Sequence, residues 1–413
     1  MNRVCSIFAQ LLQLFPRGEF EQAVKKHKAE RHARGFTCWG QFVAMLFCQL
    51  GAARSLREIC NGLAASEGKL KHLGIPSAPN RSTLSYANEH RRWQLYQTVF
   101  EELLQRCRSV AVGKKKFRFK NKLLSLDSTS IDLCASLFDW AQYKRTKGAV
   151  KVHLLLDNEG YLPCFACISD GKKHDVTVGR KLRFQAGTIV VMDKGYVDYD
   201  WWRQMTEDGA YFVTRFKQDL KIEVLAEREV PQNSNVRRDQ DIRITPYRKD
   251  FELHLRRVTI WDAEKEEEIT FLTNHLKFGA TTIARIYKER WQIELFFKSL
   301  KQLLRVKTFV GTSANALKIQ IWTALIAMLV LKYLQLKSTL GWSLSNLVAL
   351  VRQQLFVYRD LYVWAGCTIP STTGAGGVAR WAVDIGILSR TNGTAESKRS
   401  GQANQWRALL ATN

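Results

Sequence analysis

The hydrophobic pattern of this 413-residue chain changes its period twice. Up to about residue 110, apolar residues recur at helical spacing, as they do over Phe8–Phe15. Short runs rich in β-branched and aromatic residues follow, among them Val150–Leu156 and Tyr161–Ser169, and they are typical of strands. Helical spacing returns near Thr281 and continues to about Trp364. Strands between two helical segments predict an α/β fold, in which helices pack against a sheet.

The same changes of period divide the chain into segments. We expect a helical domain over residues 1–110, the first part of an α/β core over 111–209, a β-rich insertion over 210–276, further helices over 277–365 and a poorly ordered tail over 366–413, which is rich in Gly, Ser and Thr. The longest apolar helix, Ile319–Leu336, is interrupted by Lys332 and Gln335, so we expect it to be buried in the protein and not in a membrane.

The charge balance is strongly basic. Lys and Arg number 63 against 38 Asp and Glu, which gives a formal net charge of +25. Such a surplus predicts a polyanionic partner, for which nucleic acid is the commonest explanation, although a merely soluble basic protein is the alternative. The nine cysteines are scattered and form no disulfide framework, and no signal-peptide cleavage site follows the first apolar run. We therefore expect reduced thiols and a cytoplasmic location.

One part of the helical segment has residues suited to DNA. Pro79-Asn80-Arg81 forms a loop that leads into a predicted helix, and polar residues follow at its exposed start. These residue types can contact phosphates and base edges in a helix-turn-helix-like unit. The candidates are Arg81, Ser82, Thr83, Ser85, Tyr86 and Asn88. A plain capped helix explains the same residues equally well, and both interpretations stay open at this point.

Two aspartates each follow a predicted strand. Asp127 ends the apolar run Leu123–Leu126, and Asp193 ends the run Ile189–Met192. A carboxylate at the C-terminal end of a strand lies where open α/β sheets gather their ligands. The alternative for each aspartate is a helix cap.

A third carboxylate lies on a predicted helix over residues 287–301. At about 100° per residue, four polar side chains of this helix fall within about 60° of one another; they are Tyr287, Arg290, Glu294 and Lys301. The apolar side chains point largely elsewhere and can be buried; they are Trp291, Ile293, Phe296, Phe297 and Leu300. Two metal ions about 4 Å apart on a phosphodiester need carboxylates to hold them, and neighbouring cations can bind the DNA backbone. A plain surface pair of Arg290 and Glu294 is the alternative.

These motifs resemble those of the DDE transposases of the insertion sequence four family. That family has a Tyr, two residues, Arg, three residues, Glu, six residues, Lys signature, which Tyr287, Arg290, Glu294 and Lys301 match at every spacing. Its second-Asp motif is similar to Asp193-Lys-Gly-Tyr196, and its first to Asp127-Ser-Thr129. The resemblance covers roughly residues 5–365. It implies an RNase H-like catalytic core with a β-rich insertion, preceded by an all-helical N-terminal DNA-binding domain and followed by C-terminal helices.

The resemblance also implies an activity and the residues that carry it. Asp127, Asp193 and Glu294 would bind two Mg²⁺ ions, for which Mn²⁺ could substitute. Side chains near the transposon end would contact DNA, and these are Tyr287, Arg290, Lys298 and Lys301, with Arg81 and Ser82 in the N-terminal domain. The activity would be metal-dependent cleavage at insertion-sequence ends and strand transfer into target DNA. The partners would be terminal inverted repeats, target DNA and a second copy of the chain, in a bacterial cytoplasm at the nucleoid and without a membrane.

Some roles stay open. Relatives use a Trp of the insertion against a flipped base, for which Trp261 is the candidate, with Trp201 and Trp202 as alternatives. The resemblance assigns no role to four residues that lie where relatives have similar ones, namely Lys151, His153, His174 and Asp175. The alternatives to a transposase are an RNase H-like nuclease without strand transfer and an inactive DNA-binding repressor of transposition.

Overall fold

Helices precede the first strand, in agreement with the helical spacing of the N-terminal segment. A computed structural model describes residues 5–31, 35–66, 68–113, 116–134, 138–144, 147–216, 221–304 and 309–367 of the chain. The N-terminal helices are α1 (Ile7–Leu12), α2 (Arg17–His27), α3 (Cys38–Leu50), α4 (Leu56–Ala64), α5 (Arg81–His90) and α6 (Gln94–Ala111). Every residue of α3 is buried, because α3 is apolar on all sides and other helices surround it. The expected tail lies, from residue 368 onward, outside the described residues.

The strands form one ten-stranded sheet over the described part of the chain. They are β1 (Leu123–Cys134), β2 (Gln142–Lys144), β3 (Lys147–Asp157), β4 (Leu162–Asp170), β5 (Ile189–Met192), β6 (Tyr211–Arg215), β7 (Glu223–Glu227), β8 (Val236–Ile244), β9 (Leu253–Asp262) and β10 (Glu267–Thr273). Their order is β2-β3-β1-β5-β6-β10-β9-β8-β7, and β4 also pairs with β3. The strands predicted at 150–156, 161–169 and 210–275 are confirmed.

Three strands of this sheet run parallel and are covered on both faces. β5 is parallel to both β1 and β6, whereas β3 is antiparallel to β1 and to β4. On one face, Leu126 and Met192 pack with Trp202 of α8 (Tyr199–Glu207), which follows the short α7 (Asp175–Gly179). On the other face, Val191 packs with Ile283. Burial on both faces explains why β5 is apolar throughout.

Helices return after the sheet, as the sequence predicts. They are α9 (Ala280–Lys288), α10 (Trp291–Leu304), α11 (Ala314–Lys337), α12 (Leu344–Gln354) and α13 (Leu361–Trp364). In the described part of the chain, α11 alone is long and apolar enough to cross a membrane by length and composition, and 83% of its most apolar stretch is buried inside the protein. The expectation of a buried helix at residues 319–336 is confirmed.

The expectation that Asp127 ends a strand is wrong. β1 continues through Asp127 to Cys134, because β3 pairs with it along that whole length, from Leu124 with Asp157 to Cys134 with Lys147. The parallel neighbour β5 does end at this level. Asp127 therefore lies where the pairing on one side of β1 stops, while the pairing on the other side goes on.

The expectation of a single helix over residues 287–301 is also wrong. α9 ends at Lys288 and α10 begins at Trp291. At the joint, the backbone N–H groups of Glu289 and Arg290 donate to carbonyl oxygens three residues earlier, a tighter turn than the α-helix. The expectation that Trp291 is buried is wrong: it is 45% exposed, because two helical steps of about 100° place it on the side of α10 opposite Ile293. The other apolar side chains predicted to be buried in α10 are buried.

Candidate active site

The edge where β1, β5 and β6 run parallel brings three charged residues to one level of the sheet. Leu126 pairs with Met192, so the residues that follow them, Asp127 and Asp193, are neighbours on adjacent strands. The register of β5 with β6 places Arg215, the last residue of β6, level with Asp193. This is the edge of an open sheet at which polar groups from different strands meet.

Arg290 connects the third carboxylate to this edge. Its Nη1 donates to Oδ2 of Asp127 at 3.2 Å, and its Nη2 donates to Oε1 of Glu294. Its guanidinium also lies 5.7 Å from the ring centroid of Tyr287. The side chain of Arg290 is 18% exposed, so these contacts form in a partly desolvated place, where charge–charge interactions are stronger than in water. Glu294 and Asp127 are thus joined through one cation.

The electrostatics of Asp127 reflect this convergence. Burial raises the pKa of Asp127 to about 7, while the Arg290 guanidinium and the Ser128 backbone N–H favour its charged form. The negative charges of Asp193 and Glu294 raise the pKa of Asp127 further. Burial likewise raises the pKa of Tyr287, and Asp193 contributes to that shift. The charges of Asp193 and Glu294 therefore act on Asp127, and that of Asp193 acts on Tyr287 as well.

Asp193 is fixed by its own turn. Its Oδ1 accepts a hydrogen bond from the backbone N–H of Gly195 at 2.7 Å, and its carbonyl oxygen accepts one from Oγ1 of Thr214 on β6 at 3.1 Å. The turn after β5 was part of the predicted second-Asp motif.

The carboxylates do not form a closed metal-binding group in this arrangement. Among the described residues, no three Asp, Glu, His or Cys side chains converge closely enough to hold one ion. The Arg290 guanidinium lies between Asp127 and Glu294, which are its partners. DDE transposase domains in general use divalent metal ions, and such an ion would compete with Arg290 for these oxygens.

Sequence reasoning assigned no role to a polar network beside Asp127. Ser128, the next residue on β1, donates from Oγ to Oδ1 of Asp175 at 2.8 Å. Lys151 donates to the same oxygen at 3.1 Å, and Nδ1 of His153 lies 3.7 Å from it. Burial lowers the pKa of His153 to about 4, which keeps this ring neutral at physiological pH. The sequence singled out three of these residues, but their meeting point depends on the register of β1 with β3.

The other predicted DNA-contact residues lie apart from the carboxylates. Lys298 and Lys301 are exposed on α10, beyond Glu294. Arg81 and Ser82 are exposed at the start of α5. The expectation that Asn88 lies at the exposed start of this helix is wrong, because it is 1% exposed and its Oδ1 accepts a hydrogen bond from the Gln41 amide. The structure therefore removes Asn88 from the candidates for DNA contact.

The three tryptophans considered for a flipped base differ in accessibility. Trp201 and Trp202 are 3% and 0% exposed in the core between α8 and the sheet. Trp261, near the end of β9, is partly exposed and has the Arg237 guanidinium 5.7 Å from its ring centroid. Only Trp261 of the three can reach a ligand without unfolding α8.

Removing the charge of Asp127 is expected to stabilise the metal-free protein at neutral pH. Its folded-state pKa of about 7 exceeds the ordinary value of 3.8, so between these values the folded protein holds a proton that the unfolded chain has lost. The free energy of unfolding therefore falls as the pH rises through this window. Thermal unfolding in EDTA measures this difference. The midpoint temperature of Asp127→Asn should be higher than that of wild type at about pH 8 and equal to it at about pH 4. Equal midpoints at both pH values would contradict the burial of this charge.

Comparison with known families places this edge inside a known domain. Residues 118–330, about half of the chain, match the family model described as a transposase DDE domain. Residues 4–76 match a model described as a domain of unknown function. All three carboxylates, Arg290 and Tyr287 lie inside the first of these matches.

Curated relatives agree with that match. A Sinorhizobium fredii protein named as a transposase is 31% identical over 74% of this chain and 85% of its own. The transposase for insertion sequence element IS5377 of Geobacillus stearothermophilus is 28% identical over 64% of this chain and 70% of its own. The one for element IS4SA of a Synechocystis strain is 28% identical over 60% and 71%. The chain belongs to the DDE transposases of bacterial insertion sequences, enzymes of DNA transposition.

Proposed function

We propose that Asp127, Asp193 and Glu294 are the catalytic carboxylates and bind two Mg²⁺ ions. The observation that carries this proposal is the register of β1 with β5, which makes Asp127 and Asp193 neighbours at one edge of the sheet. Arg290 forms ion pairs with both Glu294 and Asp127, and it thereby connects Glu294 to the two aspartates. Oxygen ligands of this kind suit Mg²⁺, with Mn²⁺ as the substitute.

The residues fit such ions by charge and by chemistry. A guanidinium cation already bridges two of the three carboxylates, so this place accommodates positive charge between them. Bound ions supply the activation of the attacking oxygen and the stabilisation of the leaving oxygen during phosphodiester cleavage. Arg290 balances the carboxylate charge before the ions bind, and it then releases at least one carboxylate. The freed guanidinium is placed to bind a DNA phosphate.

The core is proposed to be RNase H-like. What supports this is the strand order β4-β3-β1-β5-β6 with β3 antiparallel to its neighbours and β1, β5 and β6 parallel. The strands β7 to β10 then extend the same sheet beyond β6. In this proposal they are the β-rich insertion expected over residues 210–276, except that β6, which falls within that range, belongs to the core because it is parallel to β5. Trp261 is the insertion's candidate for contact with a flipped base.

We propose that the DNA backbone binds next to the carboxylates and contacts the exposed cations around them. Lys298 and Lys301 lie beyond Glu294 on α10, and Tyr287 and Arg290 lie beside it. Arg81 and Ser82 would bind the transposon end through α5. The net charge of +25 supports binding to both the terminal repeats and the target. Cutting two ends together implies a dimer on DNA, and the bacterial cytoplasm at the nucleoid is the proposed location.

Arg81→Ala and Lys301→Ala are each expected to weaken the salt dependence of DNA-end binding. Each cation that neutralises a phosphate releases counterions, so its loss should reduce the slope of log K against log salt by about one. The measurement is fluorescence anisotropy of a labelled end over a series of salt concentrations. Ser82→Ala is the neutral control, since it changes a neighbouring contact without changing charge. A slope identical to wild type in Arg81→Ala would remove Arg81 from the phosphate contacts.

The experiment that tests the proposed function uses DNA with the repeats that flank this gene. Purified protein is incubated with this DNA and Mg²⁺, and cleavage is mapped to the nucleotide. Cleavage at the repeat ends, followed by joining to a target plasmid, is the expected result. Cleavage without any joining would favour a nuclease, and binding without cleavage would favour a repressor.

A further inference from the structure

The joint between α9 and α10 contains a buried carboxylate that the proposed chemistry does not use. Glu289 is 4% exposed and lies immediately before Arg290. The backbone N–H groups of Arg290 and Gln292 donate to carbonyl oxygens three residues earlier, at 3.0 Å each. Glu289 thus belongs to the tight turn that carries the bridging arginine, and its carboxylate is buried.

Two distant parts of the chain hold this carboxylate. Nζ of Lys116, in the segment that connects the N-terminal helices to β1, lies 2.5 Å from Oε1 of Glu289. The hydroxyl of Tyr161, in the turn between β3 and β4, donates to Oε2 at 2.9 Å. Both oxygens of Glu289 therefore have a partner, and the two partners lie 173 and 128 residues earlier in the chain.

Tyr161 occupies an uncommon backbone conformation to make its contact. Its φ is +54°, in the left-handed region that a tyrosine rarely adopts. Such conformations persist where surrounding contacts require them. The Lys332 ammonium lies 5.7 Å from the centroid of the Tyr161 ring, which restrains the ring from a second side.

Arg290 depends on the placement of its backbone. Its Nε is buried without a hydrogen-bond partner, so the side chain is held by its terminal nitrogens, whose partners are Asp127 and Glu294. Consecutive Cα atoms are about 3.8 Å apart, so a shift of Glu289 moves Arg290 by a comparable amount. Contacts that fix Glu289 therefore fix the starting point of the Arg290 side chain.

We propose that Glu289 is a positioning residue for the reaction: by its contacts with Lys116 and Tyr161, it sets Arg290 and Glu294 relative to Asp127. This role rests on the proposed function of Asp127, Asp193 and Glu294. Because Lys116 belongs to the segment that leaves the N-terminal helices, the same contact connects the N-terminal part of the chain to the carboxylates. Supporting residues of this kind commonly change metal affinity or activity by about 10- to 100-fold when they are removed.

The test compares Glu289→Ala and Glu289→Gln with wild type in two assays. DNA-end cleavage gives the rate, and calorimetric titration of the DNA-free protein with Mn²⁺ gives a dissociation constant that does not depend on turnover. Glu289→Ala should lower the rate and weaken Mn²⁺ binding by about tenfold or more. Glu289→Gln keeps an oxygen for the Tyr161 hydroxyl and should fall between Glu289→Ala and wild type. The double variant Lys116→Met/Glu289→Gln should lose no more cleavage rate or Mn²⁺ affinity than Glu289→Gln alone, because both substitutions disrupt the same contact.

A matched control separates positioning from stability. Asp239 on β8 is a carboxylate as buried as Glu289, and it pairs with Arg256, with both side chains 3–4% exposed, so Asp239→Asn also removes a buried, paired charge. Thermal unfolding gives the folded fraction of each variant, by which the rates are corrected. After this correction Asp239→Asn should bind Mn²⁺ like wild type. The proposal is overturned if Glu289→Ala does so too and cleaves at the wild-type rate.

Glu294→Gln distinguishes this proposal from the function on which it rests. If Glu294→Gln cleaves DNA like wild type, the carboxylate assignment fails, and the role of Glu289 fails with it. If Glu294→Gln is inactive while Glu289→Ala is fully active, only the role of Glu289 fails.

Discussion

Asp127→Asn, Asp193→Asn and Glu294→Gln are each expected to lower DNA-end cleavage by about three orders of magnitude or more, while end binding is kept. Each change removes one anionic oxygen donor and preserves the size of the side chain. If these residues hold the ions as proposed, the ions would stabilise the charge that develops during phosphodiester cleavage, so a missing ligand should affect the rate much more than the affinity for DNA. The measurement pairs a cleavage time course with an anisotropy titration on the same DNA.

The control for these variants is Asp132→Asn. Asp132 lies on the same strand as Asp127 and is exposed, so it tests whether loss of any acidic side chain from β1 affects the reaction. We expect wild-type cleavage from Asp132→Asn. A variant of Asp127, Asp193 or Glu294 that cleaves within tenfold of wild type would exclude that residue from the catalytic set.

Arg290→Ala is expected to produce the next largest loss, about 100-fold or more in cleavage. Arg290 bridges two carboxylates in the metal-free protein and is proposed to hold a phosphate after ion binding. Arg290→Lys should recover only part of the rate, because an ammonium cannot reproduce the planar two-pronged geometry of the guanidinium. Since Arg290 favours the charged form of Asp127, its loss should raise the pKa of Asp127 and move Mn²⁺ binding to higher pH.

The pH dependence of Mn²⁺ affinity measures this second effect directly. The midpoint for Arg290→Ala should lie above that of wild type, and Arg290→Lys should lie closer to wild type. Arg285→Lys is the control, because Arg285 is an exposed cation on α9 that lies over the Phe117 ring. If Arg290→Lys equals wild type both in cleavage rate and in the pH midpoint of Mn²⁺ binding, the two-pronged contact of the Arg290 guanidinium has no function.

The bridging arginine gives the metal-free site a defined resting arrangement. Three carboxylates that converge without a cation would repel one another, and burial already raises the pKa of Asp127 to about 7. A guanidinium between two of them reduces this repulsion. In the proposed mechanism, the protein holds Asp127 and Glu294 on one guanidinium before any ion or DNA is bound, and an ion would then take the place of that cation.

Local pattern predicts much of this fold, because it depends on residues near one another in sequence. The strands at 150–156 and 161–169 follow from their β-branched and aromatic content, and α11 follows from its apolar length. The pairing of Leu126 with Met192 does not follow from pattern, since it joins strands separated by three others in the chain. The end of β1 could not be predicted for the same reason: the partner that extends it past Asp127 is β3.

The candidate site was predictable as a set of residues but not as an arrangement. The spacing of Tyr287, Arg290 and Glu294 identified them, although the helix that the spacing assumes is broken at Glu289 and Arg290. Trp291, which was grouped with the buried apolar residues of this helix, is exposed. The contacts of Glu289 with Lys116 and Tyr161 span more than a hundred residues each, and no local pattern indicates them.

Iron-directed cleavage of the polypeptide tests most directly whether Asp127, Asp193 and Glu294 form one metal centre. Fe²⁺ is bound in place of Mg²⁺, and ascorbate with peroxide then generates radicals that break the backbone close to the iron. We expect breaks near all three positions in wild type, and these breaks should be suppressed by excess Mg²⁺ and lost in Asp193→Asn. Breaks at other positions, or breaks that neither Mg²⁺ nor Asp193→Asn affects, would contradict this expectation.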